Sequence, residues 1–377
     1  MRDSDGVTSP PATVAPLRLV ALSHTSLVSG AEAVLLRVLH ATADEGWGVA
    51  CLAPPGAFAE LLDAEGIRRG STPDLKLPAG PRVLGVAVVL ARSLVAARRL
   101  RRAAAGADLV LVNSILALPG LRFARLRVPA AWLVHDVIHR RDWLAYLRVF
   151  GGGVGEAIAV SEAAARPVRD AGIRVRVVRH GVRWPVEPAP AARDGAPVVG
   201  CTALLTSWKG QDVLLEAVAR MRRRDVRVEL VGGNFPKDAG YVESLRARAA
   251  QPDLAGRVSF VGHVDDVLAR VRTWAVGVSA SVDPEAGPLS VLEYMSVGVP
   301  AVATAHGGSG EIVDGAGLLV APGDPSALAE AIERLLEDPT LYRRCAEAGP
   351  RAVAEGGFTV ERFRRSIVLA LREIATR

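Results

Sequence analysis

Cysteine is scarce in this chain of 377 residues. It occurs only at Cys51, Cys201 and Cys345, an odd number without metal-type spacing. That excludes a disulfide framework and a cysteine-held zinc, and a reduced, cytosolic setting is expected. Aromatic residues make up 5% of the chain, and the arginine clusters at 98–102 and 222–224 have none interleaved, which argues against nucleic-acid binding. Long apolar runs are missing as well. The longest, Val83 to Ala97, contains Arg92 and falls short of the ~20 residues a bilayer span needs. There is no G-x-x-x-x-G-K-[ST] phosphate loop and no G-x-S-x-G elbow. Gly151-Gly152-Gly153-Val154-Gly155 looks superficially like a dinucleotide fingerprint, but it precedes a strand instead of following one, so it reads as a loop. Lysine is rare too: Lys76, Lys209 and Lys237 are the only three among 46 basic residues, so a lysine at a motif position carries weight.

What is present describes a globular protein. Half of the residues are hydrophobic and 23% are charged, and the length suits two domains. The net charge of +6 is unevenly spread: residues 1–185 hold 24 basic and 15 acidic residues, and residues 186–377 hold 22 and 25. The basic half is the better candidate for an acidic partner or surface. Within it, the apolar run at 83–97 leads into Arg98, Arg99, Arg101 and Arg102. Such a basic amphipathic helix is read as a surface helix with a solvated end or as one that lies on an anionic membrane.

Residues 1–16 are polar and proline-rich without an apolar core, the pattern of a disordered leader and not of a signal peptide. From Leu17 short β-branched runs alternate with longer helical stretches. Strands are expected at Leu17–Leu22, Val49–Ala53, Leu109–Asn113, Ala131–His135 and Ala157–Val160, with a weaker one at Arg176–Val178. A Pro/Ala-rich interruption at 185–197 reads as a linker, after which the alternation restarts at Val198–Cys201. The expected organisation is an N-terminal domain over 17–184, a C-terminal domain over 198–355, and a C-terminal helix over 356–377 packing back on the first domain. Both domains read as α/β, doubly wound and parallel, with ligands at the carboxyl ends of the strands.

The most informative segment is 283–304, DPEAGPLSVLEYMSVGVPAVAT. Pro288 suits the first turn of a helix and Gly298 the position past its end. The helix N-terminus would offer free N–H groups and the positive end of a dipole to a phosphate. Glu285 lies just before that terminus and Glu293 about one and a half turns into the helix. Spacing alone favours a plainer account, with Glu285 complementing the dipole and Glu293 solvated.

The surrounding residues change that weighting. Glu285 and Glu293, eight apart and followed by Tyr294-Met295-Ser296-Val297-Gly298-Val299-Pro300, resemble the signature of the retaining glycosyltransferase family 4, which has the GT-B fold. Gly307-Gly308-Ser309-Gly310-Glu311-Ile312-Val313 is similar to that family's Gly-Gly-x-x-Glu-Ile-Val. Trp208-Lys209-Gly210 resembles its Lys-Gly motif, and Phe260-Val261-Gly262-His263 its nucleobase loop. In the first half, Ser29-Gly30-Ala31-Glu32, His135-Asp136 and Ala159-Val160-Ser161-Glu162 are similar to three further motifs. Each motif is weak alone; their joint order is specific.

The resemblance implies two Rossmann-like domains facing across a cleft, and transfer of a sugar from a nucleoside-diphosphate sugar with retention. No cofactor or metal enters that scheme. It gives Glu293 the ribose hydroxyls, Glu285 the donor-sugar hydroxyls and Lys209 the diphosphate. It lets Gly30 approach the phosphates and places Gly262, His263 and Val264 at the base. Gly287 and the N–H groups of Leu289 and Ser290 cradle phosphate, and His135 lies beside the sugar. Acceptors to expect are a glycan, a lipid-linked glycan or a small molecule, held by the basic half, with peripheral contact at the inner face of a membrane. Four departures stand out: Leu204 where the family usually has a phosphate-binding Arg, Pro288 for Gly, His180-Gly181-Val182 for Asn-Gly-Val, and Ala275 for Asp. Two other readings remain open: an epimerase or hydrolase of nucleotide sugars on the same fold, and a non-catalytic nucleotide-sugar binder.

Overall fold

The computed structural model describes residues 16–76, 82–190, 195–234, 238–313 and 315–377. All but the last residue of the expected leader, and residues 191–194 of the expected linker, lie outside the described residues.

The β-branched runs fold as short parallel strands. In the first sheet they are β1 (Arg18–Leu22), β2 (Gly48–Ala53), β3 (Arg68–Ser71), β4 (Leu109–Val112), β5 (Ala130–Val134), β6 (Glu156–Ala159) and β7 (Val175–Val177), in the order β3-β2-β1-β4-β5-β6-β7. The second sheet holds β8 (Val198–Thr202), β9 (Arg227–Val231), β10 (Val258–Gly262), β11 (Val276–Ser279), β12 (Ala301–Thr304) and β13 (Gly317–Val320), in the order β10-β9-β8-β11-β12-β13. Helices alternate with the strands throughout. Both orders start at an edge, run back to the first strand and then reverse, the doubly wound pattern. The reversal falls between β1 and β4 in one sheet and between β8 and β11 in the other. Chain ends of strands flanking such a reversal diverge, which leaves a crevice at their carboxyl ends.

The chain divides into two compact units, one running to Ala131 and including Ala370–Arg377, the other Trp132–Leu369. In the first, β1 lies parallel between β2 and β4, and its residues Leu19, Ala21 and Leu22 are fully buried. Arg372 reaches Glu45 at 3.6 Å and lies 6.0 Å from the centre of the Trp47 ring.

In the second unit the period-two alternation of the strands sorts side chains onto two faces. Val199, Cys201, Val276, Val278 and Val302 join one core with the helix Gln211–Arg220. Ala301 and Ala303 join the other, with Trp274, Tyr294 and Met295. Two glycines make room for the large rings there. A Cβ on Gly200 would lie 2.0 Å from the Trp274 ring, and one on Gly277 would lie 2.3 Å from Tyr294. The rings meet edge to face at 5.7 Å, the Trp274 indole donates to Glu229 at 2.8 Å, and the Tyr294 hydroxyl accepts from the Thr202 N–H at 2.8 Å. Tyr294 thereby fastens the helix Leu289–Ser296 to the carboxyl end of β8.

Overpacking this contact should be costly. Gly277→Ala is expected to destabilise the fold by about 1–3 kcal/mol, as forced ring displacement does in tight cores. Chemical denaturation of the two proteins measures the difference; an unchanged midpoint would show that the rings are not locked by Gly277.

Candidate functional site

The crevice between β8 and β11 is built from the two loops that leave those strands. After β8 a single 3₁₀ turn, Ser207–Lys209, ends at Gly210 with φ 66°. A Cβ on Gly210 would lie 2.1 Å from the Ala280 carbonyl oxygen, so glycine is needed both for the backbone angle and for the close approach. The Val282 N–H donates to the Trp208 carbonyl at 2.9 Å and ties the turn to the end of β11. This docking brings Lys209 to Glu285: Nζ lies 2.5 Å from Oε2, with side chains 17% and 12% exposed. The ammonium also lies over the Trp208 ring at 4.2 Å, a cation–π contact. The other carboxylate oxygen, Oε1, accepts from the hydroxyls of Ser281 and, at 3.3 Å, Ser279.

The backbone around Glu285 is held from the far side. Its carbonyl accepts the Gly308 N–H at 2.8 Å. Cβ atoms on Gly307 and Gly308 would lie 2.0 Å and 2.2 Å from the Glu285 and Ala286 carbonyl oxygens. Asp136, directly after His135, pairs with Glu285 as an antiparallel bridge. Glu311, from the same glycine-rich segment, accepts the N–H groups of Glu162 at 3.0 Å and Ala163 at 2.9 Å. It thus satisfies the first donors of the helix Glu162–Asp170, which Ser161 caps through the Ala164 N–H at 3.1 Å. The glycine-rich motif and the Val-Ser-Glu motif are therefore one bonded unit.

The loop from Glu285 leads into the helix Leu289–Ser296. Pro288 stands at its N-cap, with φ −67° and ψ 103°, one place earlier than the first helical turn expected from sequence. Proline has no N–H, so the donors at this end are those of Leu289 and Ser290, which an α-helix leaves without partners of its own. Glu293 is half-buried within the helix. Gly287 packs against His180 and Val160, each 3.4 Å from where its Cβ would stand. His135 is half-buried at the end of β5, its ring 6.4 Å from that of His180 and 9° from parallel.

The structure therefore gathers Lys209, Glu285, Gly287, Leu289, Ser290 and His135 in the second unit. Gly262, with φ 80°, ends the edge strand β10 and accepts the Gly232 N–H at 2.8 Å. His263 is 82% exposed in its side chain, and Val264 packs on the core around Trp274. Leu204 is 39% exposed and places a neutral side chain beside the β8 loop, and Ala275 is buried. Among the described residues no group of three His, Cys, Asp or Glu side chains is arranged to hold a metal ion.

Gly30 lies in the first unit as the first residue of the helix Gly30–Asp44, after the β1 loop. It has no left-handed backbone angle, and a Cβ there would meet nothing within 4 Å. Neither the turn nor the packing requires glycine. Next to it, the buried Glu32 accepts from Ser29 at 2.5 Å and from Asn113 at 3.4 Å, at the β1/β4 reversal. Burial pushes the Glu32 carboxyl up, and burial together with Lys76 brings the nearby His24 down to about 4. Sequence reasoning passed over Asn113, Ser279 and Ser281. No local pattern marks them; only the strand order shows that Asn113 follows β4, Ser279 ends β11 and Ser281 lies in the turn after it.

Comparisons with known proteins agree with this layout. Residues 28–183 match the family model described as Glycosyltransferase Family 4, and residues 196–338 match the one described as Glycosyl transferases group 1. A GDP-mannose-dependent monoacylated alpha-(1-6)-phosphatidylinositol monomannoside mannosyltransferase of Corynebacterium glutamicum is 31% identical over 179 residues, 45% of each chain. A D-inositol 3-phosphate glycosyltransferase of Acidothermus cellulolyticus is 35% identical over 187 residues, 45% of this chain and 41% of that one. The matched stretch thus spans less than half the length of these curated relatives. Among solved structures, Anabaena HepE in complex with UDP and glucose superimposes with a TM-score of 0.79 at 24% identity, covering 94% of this chain and 99% of that one. A sucrose-phosphate synthase from Thermosynechococcus elongatus gives 0.78 at 20% identity over 95% and 99%. At these identities the likeness establishes the fold.

The Glu311 cap yields a prediction that is independent of activity. Glu311→Ala should cost about 0.5–2 kcal/mol, the range for loss of a helix cap. Unfolding curves check it; equal stability would mean that water replaces the carboxylate without loss.

Proposed function

Because the chain belongs to the glycosyltransferase family 4 and group 1 proteins of GT-B fold, we propose that it transfers a sugar from a nucleoside-diphosphate sugar to a hydroxyl-bearing acceptor, with retention. The observation that carries this reading is the Lys209–Glu285 pair, held at the β8/β11 reversal in front of a helix N-terminus. A cation, unpaired helix N–H groups and a carboxylate within one crevice suit a ligand with a diphosphate next to a polyol.

In this reading Lys209 and the N–H groups of Leu289 and Ser290 take the negative charge that builds on the leaving diphosphate as the glycosidic bond breaks. Glu285 accepts hydrogen bonds from donor-sugar hydroxyls, and its attachment to Ser279 and Ser281 fixes its carboxylate beforehand. Glu293 takes the ribose hydroxyls and Gly262–Val264 the base. His135 stands beside the sugar. Lys209 must turn from Glu285 toward phosphate as the donor enters, so donor binding exchanges one anionic partner for another and keeps the ammonium compensated.

In this reading the acceptor falls to the basic half of the chain, residues 1–185, with 24 basic and 15 acidic residues. The helix Arg82–Ala103 supports an anionic, membrane-borne acceptor. Leu84, Val86, Leu94 and Val95 are exposed along it, 64%, 50%, 48% and 38% respectively, and exposed Arg98, Arg99 and Arg102 follow. Arg101, also exposed, donates to the Ala124 carbonyl at 2.8 Å, and Arg99 donates to the Ser71 carbonyl at 3.0 Å. Among the described residues no helix is long and apolar enough to cross a membrane, so contact through this helix would be peripheral.

Donor screening with product formation, variant kinetics and vesicle binding test these assignments. A thermal-shift screen against UDP-, GDP-, ADP- and dTDP-sugars should single out one base, and incubating that donor with candidate acceptors should give glycosylated product. Glu285→Ala should abolish transfer with the fold intact, and Lys209→Ala should lower kcat/KM by ~10²–10³, as removal of one charge-stabilising donor does. Undiminished transfer by the Glu285 variant would remove the assignment, and donor consumption without any acceptor would favour the hydrolase or epimerase. For the membrane contact, the chain should co-sediment with phosphatidylglycerol vesicles and not with phosphatidylcholine. Leu84→Ser combined with Leu94→Ser should release it; unchanged co-sedimentation would place the contact elsewhere.

A further inference from the structure

His180 departs from the asparagine that the resembling family carries before its Gly-Val pair, and its surroundings give the departure a consequence. The ring is buried, 8% exposed. On one side it lies nearly parallel to His135, 9° between planes and 6.4 Å between centres. On another, Phe363 stands behind it at 6.1 Å and 53°. Its Cδ2 edge faces Gly287, 3.4 Å from where a Cβ would stand.

The backbone that carries His180 is pinned as well. The Val182 N–H donates to the Phe358 carbonyl at 2.9 Å, and the Val360 N–H donates to the Val182 carbonyl at 3.0 Å. Gly181 fits against Thr359 so closely that a Cβ would lie 2.2 Å from its carbonyl oxygen. The imidazole is thus carried by a hydrogen-bonded backbone, backed by Phe363, and set between His135 and the Gly287 loop. Asparagine at this position would offer no flat ring to stack on His135.

We propose that His180 is a positioning residue: it sets the ring plane of His135 and the path of the Gly287 loop. This rests on the reading that the site transfers a sugar past His135. Parallel ring packing favours His135 orientations whose plane is parallel to its neighbour's, and the His180 edge beside Gly287 backs the loop that leads to the Leu289 and Ser290 donors. The two histidines touch different parties. In that reading His135 faces the reacting sugar, and His180 acts through His135 and the loop.

The test uses His180→Ala, His180→Asn and His180→Phe in the full chain, each first checked for a wild-type unfolding midpoint. Steady-state kinetics with the identified donor should show kcat lowered ~10- to 100-fold in His180→Ala, with the donor KM changed less than about twofold, as loss of positioning predicts. His180→Phe, which keeps a ring in the stack, should recover most of the rate. If His180→Ala does not fold, the comparison of Asn with Phe carries the same distinction. Imidazole NMR signals of His135, assigned with His135→Gln, should move in His180→Ala and His180→Asn. That readout needs no turnover, so a wild type that transfers nothing overturns the functional reading and leaves the stacking measurable. Wild-type kcat in His180→Ala, equal loss in Ala and Phe, a change confined to KM, or unmoved His135 signals would each overturn the positioning role.

Discussion

The ion pair between Lys209 and Glu285 is the constraint on which the site depends. The residues lie 76 apart in sequence and belong to loops leaving two different strands. They meet because β8 and β11 are neighbours at the reversal of strand order and because Gly210 lets the lysine turn press against Ala280. Two largely buried charges of opposite sign stabilise each other only when their geometry is good and the remaining oxygens are bonded. Here the serines of β11 and its following turn supply those bonds. The cation and the carboxylate thereby compensate each other and tie the two loops together.

Several motifs that look unrelated in sequence turn out to support that pair. Gly307 and Gly308 press on the carbonyls of Glu285 and Ala286, Asp136 bridges to Glu285, and Glu311 bonds the start of the helix Glu162–Asp170. Residues 132–184 join the later chain in one compact unit through these contacts. Glycine is required at 210, 307 and 308 for close approach of backbone to backbone. At Gly30 no such requirement exists: its backbone angle is ordinary and a Cβ would meet nothing within 4 Å.

Much of this was legible in the sequence. Strands rich in valine, leucine and alanine announce themselves because both faces of a parallel sheet are buried. The exception is β3, Arg-Arg-Gly-Ser, an exposed edge strand with no apolar signature, which exists because β2 offers it a hydrogen-bonding edge. The helix after Pro288 was legible from its punctuation, off by one residue, since proline's fixed φ serves an N-cap as readily as the first turn. What sequence could not reveal is partnership. Lys209 and Glu285 each suggest a ligand when read alone, and only the fold shows them holding one another. The stacking of His180 on His135 joins residues whose spacing carries no periodicity, and Asn113, Ser279 and Ser281 gain meaning only from the strand order.

The claim at the centre of the account is that a nucleoside-diphosphate sugar occupies the β8/β11 crevice and meets the lysine turn and the helix N-terminus together. Hydrogen–deuterium exchange on the full chain, with and without the donor selected by thermal shift, tests it most directly. The account predicts slowed exchange at residues 207–211 and 285–293 on donor binding, with β13 unchanged. Donor binding that protects other segments and leaves both of these unaltered would contradict it.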